Sequence, residues 1–213
     1  MDRVQRNGGI AGIIAAVLLA LLFILILTMG QDIMAGDPAR SLGAVRQKWS
    51  TWVLGSIVAL LAIGFAVVFV TGLSMRLRDQ APTRARVVLY LALVGLAGYG
   101  VGAVARWLGG GQVLAVQDET AATHAWLALT AIAGALEGFG NAFTGAATAV
   151  AGWAIIGTGA LASSLGWLAV VAGVVNVLTL FAPTQPVLFF GSFILTIVWL
   201  AWAGSALRAG AGA

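Results

Sequence analysis

Every residue from Gly9 to Met29 is uncharged, and comparable apolar runs return several times before the chain ends. A helix that crosses the hydrocarbon core of a bilayer needs roughly 20 such residues. This recurrence constrains the fold more than any other feature, because each run demands lipid or a protein interior on all sides. Charged residues make up only 8% of the chain and mean hydropathy is +1.04. Soluble domains are about one quarter charged. The sequence therefore predicts an all-α integral membrane protein.

Spans are expected at about residues 9–29, 52–75, 87–107, 139–161, 166–182 and 187–207. The first follows the basic leader "MDRVQR". Its apolar stretch exceeds that of a signal peptide and no A-x-A site follows, so it reads as a retained anchor. "PTQP" separates the last two spans as a tight turn.

The segment from His124 to Ser164 is too long for one crossing, since an unbroken helix of that length reaches roughly 60 Å. At 100° per residue, Thr123, Thr130, Glu137, Asn141, Thr144 and Thr148 share one sector. A reversing turn inside "EGFGNAFTG" would break that phase. One long helical segment is therefore expected, with an outer-surface helical stretch preceding the fourth span. This gives six spans in a single polytopic domain.

Arginine placement orients the bundle. With the N-terminus in the cytoplasm, Arg3, Arg6, Arg76, Arg78, Arg84, Arg86 and Arg208 fall inside, and Arg40, Arg46, Lys48 and Arg106 fall outside. That asymmetry favours both termini in the cytoplasm of a cell-membrane protein. Trp49, Trp52, Trp107 and Trp126 are expected at the outer interface, and Trp167, Trp199 and Trp202 toward the inner one. The net charge of +4 thus reflects topology, and a nucleic-acid partner is not expected. The expected partners are the lipid bilayer and other subunits of a membrane complex, or further copies of the chain.

Motifs for nucleophilic, metalloprotease, phosphate-loop and dinucleotide chemistry are missing from the sequence. There is no cysteine, so disulfides and thiolate metal sites are excluded. "GGGQ" at 109–112 reads as a loop. His124 is the sole histidine and the weak candidate for a metal, haem or pigment ligand. The sole lysine, Lys48, falls in a loop and argues against a retinal Schiff base. No cofactor is named by the motifs.

Small residues mark helix contacts. Gly95, Gly98, Gly102 and Ala105 share one face of the third span, bordered by Tyr99 and Arg106. Gly166, Ala169, Gly173 and Asn176 share a face of the fifth. The polar candidates are Arg106, Glu137, Asn141, Thr144 and Asn176. Glu137 is the only charged residue between Ala121 and Ala182, and a carboxylate at membrane depth is costly unless paired. Arg106 and Glu137 should reach similar depth, above a shallow polar pocket containing Asn141 and Asn176.

"AFTGAATAVAGWAIIGTGALASSLGWLAVVAGVVNVL" resembles the multi-pass family grouped as domain of unknown function 4386. The residues that carry the likeness are Gly145, Gly152, Gly157, Gly159, Leu165, Gly166, Trp167 and Gly173, within residues 121–207. The resemblance implies six spans and carries over no established activity. Three functions are compatible with these readings. The first is a structural or accessory subunit of a membrane complex. The others are a small carrier or binding protein with an outward-facing pocket for an apolar or amphipathic ligand, and a pigment- or haem-associated subunit.

Overall fold

The computed structural model describes residues 3–34, 37–181 and 186–209, and among these it contains helices and turns but no strand. The principal helices are α1 (Arg3–Met29), α2 (Pro38–Gln47), α3 (Trp49–Arg78) and α4 (Pro82–Val104), which runs through a π-helical turn, Ala105–Gly109, into α5 (Gly110–Leu114). They are followed by α6 (Glu119–Thr158), α7 (Ser163–Leu178) and α8 (Pro186–Ala209). Among the described residues, five helices are long and apolar enough to cross a membrane: Arg3–Met29, Trp49–Arg78, Pro82–Leu114, Glu119–Thr158 and Val187–Ala209. The chain is thus built for the membrane. The expected span at 166–182 is a shorter apolar helix of 16 residues, Ser163–Leu178.

Local chemistry sets the helix limits. Asp37 accepts a hydrogen bond from the Ala39 amide at 2.9 Å, with Pro38 in the first turn of α2. Asp118 caps α6 through the Ala121 amide at 2.7 Å. α6 then continues for 40 residues through "EGFGNAFTG" without a break. It stops where Gly159 takes φ +67°, a left-handed cap suited to glycine. The fourth span therefore ends at Thr158 rather than 161.

One expectation needs correction. Residues 109–112 are helical, because the chain passes from α4 into α5 through the π turn without unwinding. The stretch before the fourth span forms the first turns of α6, one long helix that runs unbroken because a good cap and an alanine-rich run favour extension. The turn expected at "PTQP" spans residues 183–186, of which 183–185 lie outside the described residues.

α1, α3, α4, α6, α7 and α8 pack side by side in chain order, and α8 closes back on α1, so these six helices form a ring. Its interior is dominated by alanine and small residues, including Ala15, Ala85, Ala151, Ala169 and Ala203, around Phe69, Leu73, Leu77, Ile155 and Trp199. Large apolar side chains such as Ile24, Leu61, Val101, Ile132 and Trp153 point outward. This inverts the soluble pattern because lipid offers no hydrophobic drive between helices. Close backbone approach supplies the attraction instead. The seam between α6 and α7 shows it best. A Cβ on Gly145 would stand 2.7 Å from Gly173 O, and one on Gly166 would stand 2.9 Å from Gly152 O.

A second cluster caps one end of the ring. Leu42 and Val45 of α2 pack with Met29, Val113, Ala122 and Trp126, against Trp49 and Trp52. Trp126, expected at the outer interface, is 1% exposed because α2 folds over it. Trp199, expected toward the inner interface, is likewise buried, edge-on to Phe69 with ring centres 5.2 Å apart.

Candidate polar site between α4 and α6

The glycine face of α4 brings its backbone onto α6. A Cβ on Gly95 would meet the Thr144 amide at 2.7 Å, and one on Gly98 would meet Leu136 O at 3.1 Å. At the next step, Gly102 leaves room for the aliphatic stem of Glu137, whose Cγ would lie 3.2 Å from an added Cβ. Glu137 thus crosses α4 to reach the π turn.

There Arg106 closes on it. Arg106 Nη2 donates to Glu137 Oε2 at 2.8 Å, and Nε stands 2.7 Å from Oε1, a two-pronged ion pair. The side chains retain 26% and 32% exposure, so most of the pair is shielded. The π turn also presents the Arg106 carbonyl to Trp52 Nε1, at 3.5 Å. Trp52 lies against Trp126, with ring centres 5.7 Å apart, and Trp126 Nε1 donates to Ser41 Oγ at 2.7 Å. Polar and aromatic contacts therefore connect the α2 cap to the ion pair.

One turn along α6 from Glu137, Asn141 Oδ1 accepts a hydrogen bond from the Tyr99 hydroxyl. The ring of Tyr99 lies over Gly140. Thr144 Oγ1 donates to Gly140 O at 2.7 Å, and Thr148 Oγ1 to Thr144 O at 2.8 Å. Thr123 and Thr130 likewise donate to carbonyls four residues back, Glu119 O and Trp126 O. The threonine stripe is therefore satisfied by its own helix.

Asn176 takes another direction. Its amide donates to Ala172 O at 2.9 Å and to Thr196 Oγ1 of α8 at 3.0 Å. It links α7 to α8, so the expected shared pocket of Asn141 and Asn176 is not assembled. The reason is that both amides have nearer partners on adjoining helices. A concave space of about 280 Å³ lies instead between α5 and α6, lined by Gly109, Gln112, Val113, Val116, Ala125 and Leu129.

His124 is exposed on α6, and among the described residues no group of three or more His, Asp or Glu side chains could hold a metal ion. Sequence reasoning placed Tyr99 only at the border of a glycine face, and it overlooked Ser41, Trp52 and Trp126 as a connected set. The register of α4 against α6 could have found Tyr99. Once Arg106 faces Glu137, stepping about two turns back along α4 sets Tyr99 opposite Asn141. No family model matches the chain, and neither a curated protein nor a solved structure matches it.

Proposed function

We propose that this protein is a non-enzymatic subunit of a cell-membrane complex, structural or accessory in role, with six spans and both termini in the cytoplasm. The observation that carries this reading is the fate of Glu137. A carboxylate inside a membrane helix is by default a functional candidate, yet both its oxygens are engaged by Arg106. Two further polar links also join helices: Tyr99 with Asn141, and Asn176 with Thr196. Chemistry capable of turnover is spent on holding the ring together. The outward face is broad and apolar, with Trp153, Phe181 and Val187 all highly exposed, as a surface against lipid and membrane partners requires.

Six spans are supported by the course of α7, which runs antiparallel to α6 along the Gly145–Gly173 and Gly152–Gly166 contacts. Over its 16 residues α7 extends roughly 24 Å, so the three residues of turn that follow, Thr179–Phe181, help it across. The resemblance of residues 121–207 to domain of unknown function 4386 agrees with the same count. The arginine-rich end belongs in the cytoplasm by the positive-inside rule. A reporter fused after Ala213 should then behave as cytoplasmic, and its export would reverse the orientation or the count.

Crosslinking in native membranes, followed by mass analysis, tests the subunit role. Defined adducts with other membrane proteins are expected. Recovery of the chain alone, with a small apolar molecule bound, would favour the second reading, a carrier or binding protein. That reading rests on the open groove beside Gln112 and Leu129. Leu129→Trp would fill the groove and abolish such binding.

A further inference from the structure

The two ends of the ring treat their charges differently. All three ion pairs among the described residues lie at the α2 end: Arg40–Asp32, Arg46–Glu119 and Arg106–Glu137. At the other end Arg3, Arg6, Arg76, Arg78, Arg84, Arg86 and Arg208 have no carboxylate partner among the described residues, and Asp79 is the one described acid there.

Two of these arginines are nonetheless held in place. Arg76 Nε donates to Ala160 O in the α6–α7 turn at 3.4 Å. Arg84 lies along the last turns of α6. Its guanidinium carbon is 5.5 Å from the centre of the Trp153 ring, and its Nη1 is 3.1 Å from where a Cβ on Gly157 would stand. Trp153 and Gly157 are one turn apart on the same face, so the absent side chain leaves the guanidinium room against the helix. Trp153 is 67% exposed and Trp167 60%, both near this end of the ring.

We propose that this niche binds the headgroup phosphate of an anionic phospholipid from the surrounding bilayer. Arg84 is the principal contact, its outer N–H groups matching phosphate oxygens. Arg76 holds the turn beside it, and Trp153 packs against the upper part of the acyl chains. A phospholipid fits better than a free anion because the cation sits over an outward-facing indole where charged residues give way to apolar ones. The proposal rests on the helices spanning a bilayer. It does not depend on which side this end faces or on the subunit role.

Native mass spectrometry of the full chain in neutral detergent, with equal phosphatidylglycerol and phosphatidylcholine, tests it. Selective retention of phosphatidylglycerol is expected. Arg84→Gln should weaken that retention roughly fivefold, equivalent to the ~1 kcal/mol that one arginine contributes near an anionic surface. Arg84→Lys keeps the charge but not the planar fork and should recover only part of it. Gly157→Leu crowds the guanidinium off the helix and should weaken it, whereas Arg40→Gln at the opposite end should not. Both Arg84 and Arg40 are exposed, so these variants leave the fold intact. Equal retention of the two lipids, or no change with Arg84→Gln, would overturn the site. Displacement of the lipid by millimolar inorganic phosphate would overturn the choice of occupant.

Discussion

Neutralising one partner of the Arg106–Glu137 pair strands the other in a mostly shielded position. Fully buried pairs lose ~3–5 kcal/mol when one member is removed, and freely exposed pairs about 0–1 kcal/mol. Here the side chains keep 26% and 32% of their exposure and make two contacts, at 2.7 and 2.8 Å. Water reaches the pair but does not surround it, so Glu137→Gln or Arg106→Gln should each cost about 2 kcal/mol. The double variant removes both charges and leaves no orphan, so its loss should fall about 1.5 kcal/mol short of the sum. That coupling lies near the top of the range for polar contacts between membrane helices, about 1.7 kcal/mol, as a two-pronged charged contact should. Reversible unfolding in mixed detergent micelles, followed by far-ultraviolet circular dichroism, measures all four corners of the cycle. The exposed Arg40–Asp32 pair serves as the internal reference, and Arg40→Gln should shift stability by less than about 0.5 kcal/mol. Additivity of the two substitutions within about 0.5 kcal/mol would refute the reasoning and return Glu137 to the list of functional carboxylates.

Gly145→Ala places a methyl 2.7 Å from Gly173 O and 3.0 Å from the Val177 amide, so α6 and α7 must part. A loss of ~1–3 kcal/mol is expected, and an unchanged melting temperature in detergent would show that the seam is loose. Ser41→Ala removes the acceptor of Trp126 Nε1, and stability should fall by ~1–3 kcal/mol as the buried indole loses its partner. A blue-shifted fluorescence maximum retained through the whole thermal transition would contradict a cap that α2 holds closed. Thr196→Val breaks the hydrogen bond from Asn176 and should cost about 0.6 kcal/mol. Faster hydrogen exchange should follow in α7 and α8 and not in α4, and equal acceleration everywhere would argue against a local link.

What the amino-acid order determined by itself was the class and the lengthwise plan. Runs such as Gly9–Met29 admit few fates other than membrane helices, and the phase of Thr130, Glu137, Asn141 and Thr144 keeps α6 continuous through three glycines. Depth was legible too. Arg106 and Glu137 approach the same level from opposite directions along neighbouring helices, and an unpaired carboxylate there would be expensive. The direction in which each helix face turns was not legible. Periodicity shows that Gly166, Ala169, Gly173 and Asn176 share a side, but the Asn176 amide lies at the edge of that side and finds Thr196 on α8. Trp126 and Trp199 read as interface residues because indole suits the membrane border. They are buried because α2 and the ring closure cover them. In a soluble chain, hydrophobicity separates inside from outside. Here the long helices carry apolar residues on both protein-facing and lipid-facing sides, so close backbone approach at residues such as Gly145 and Gly173 does most to decide which face meets protein and which meets lipid.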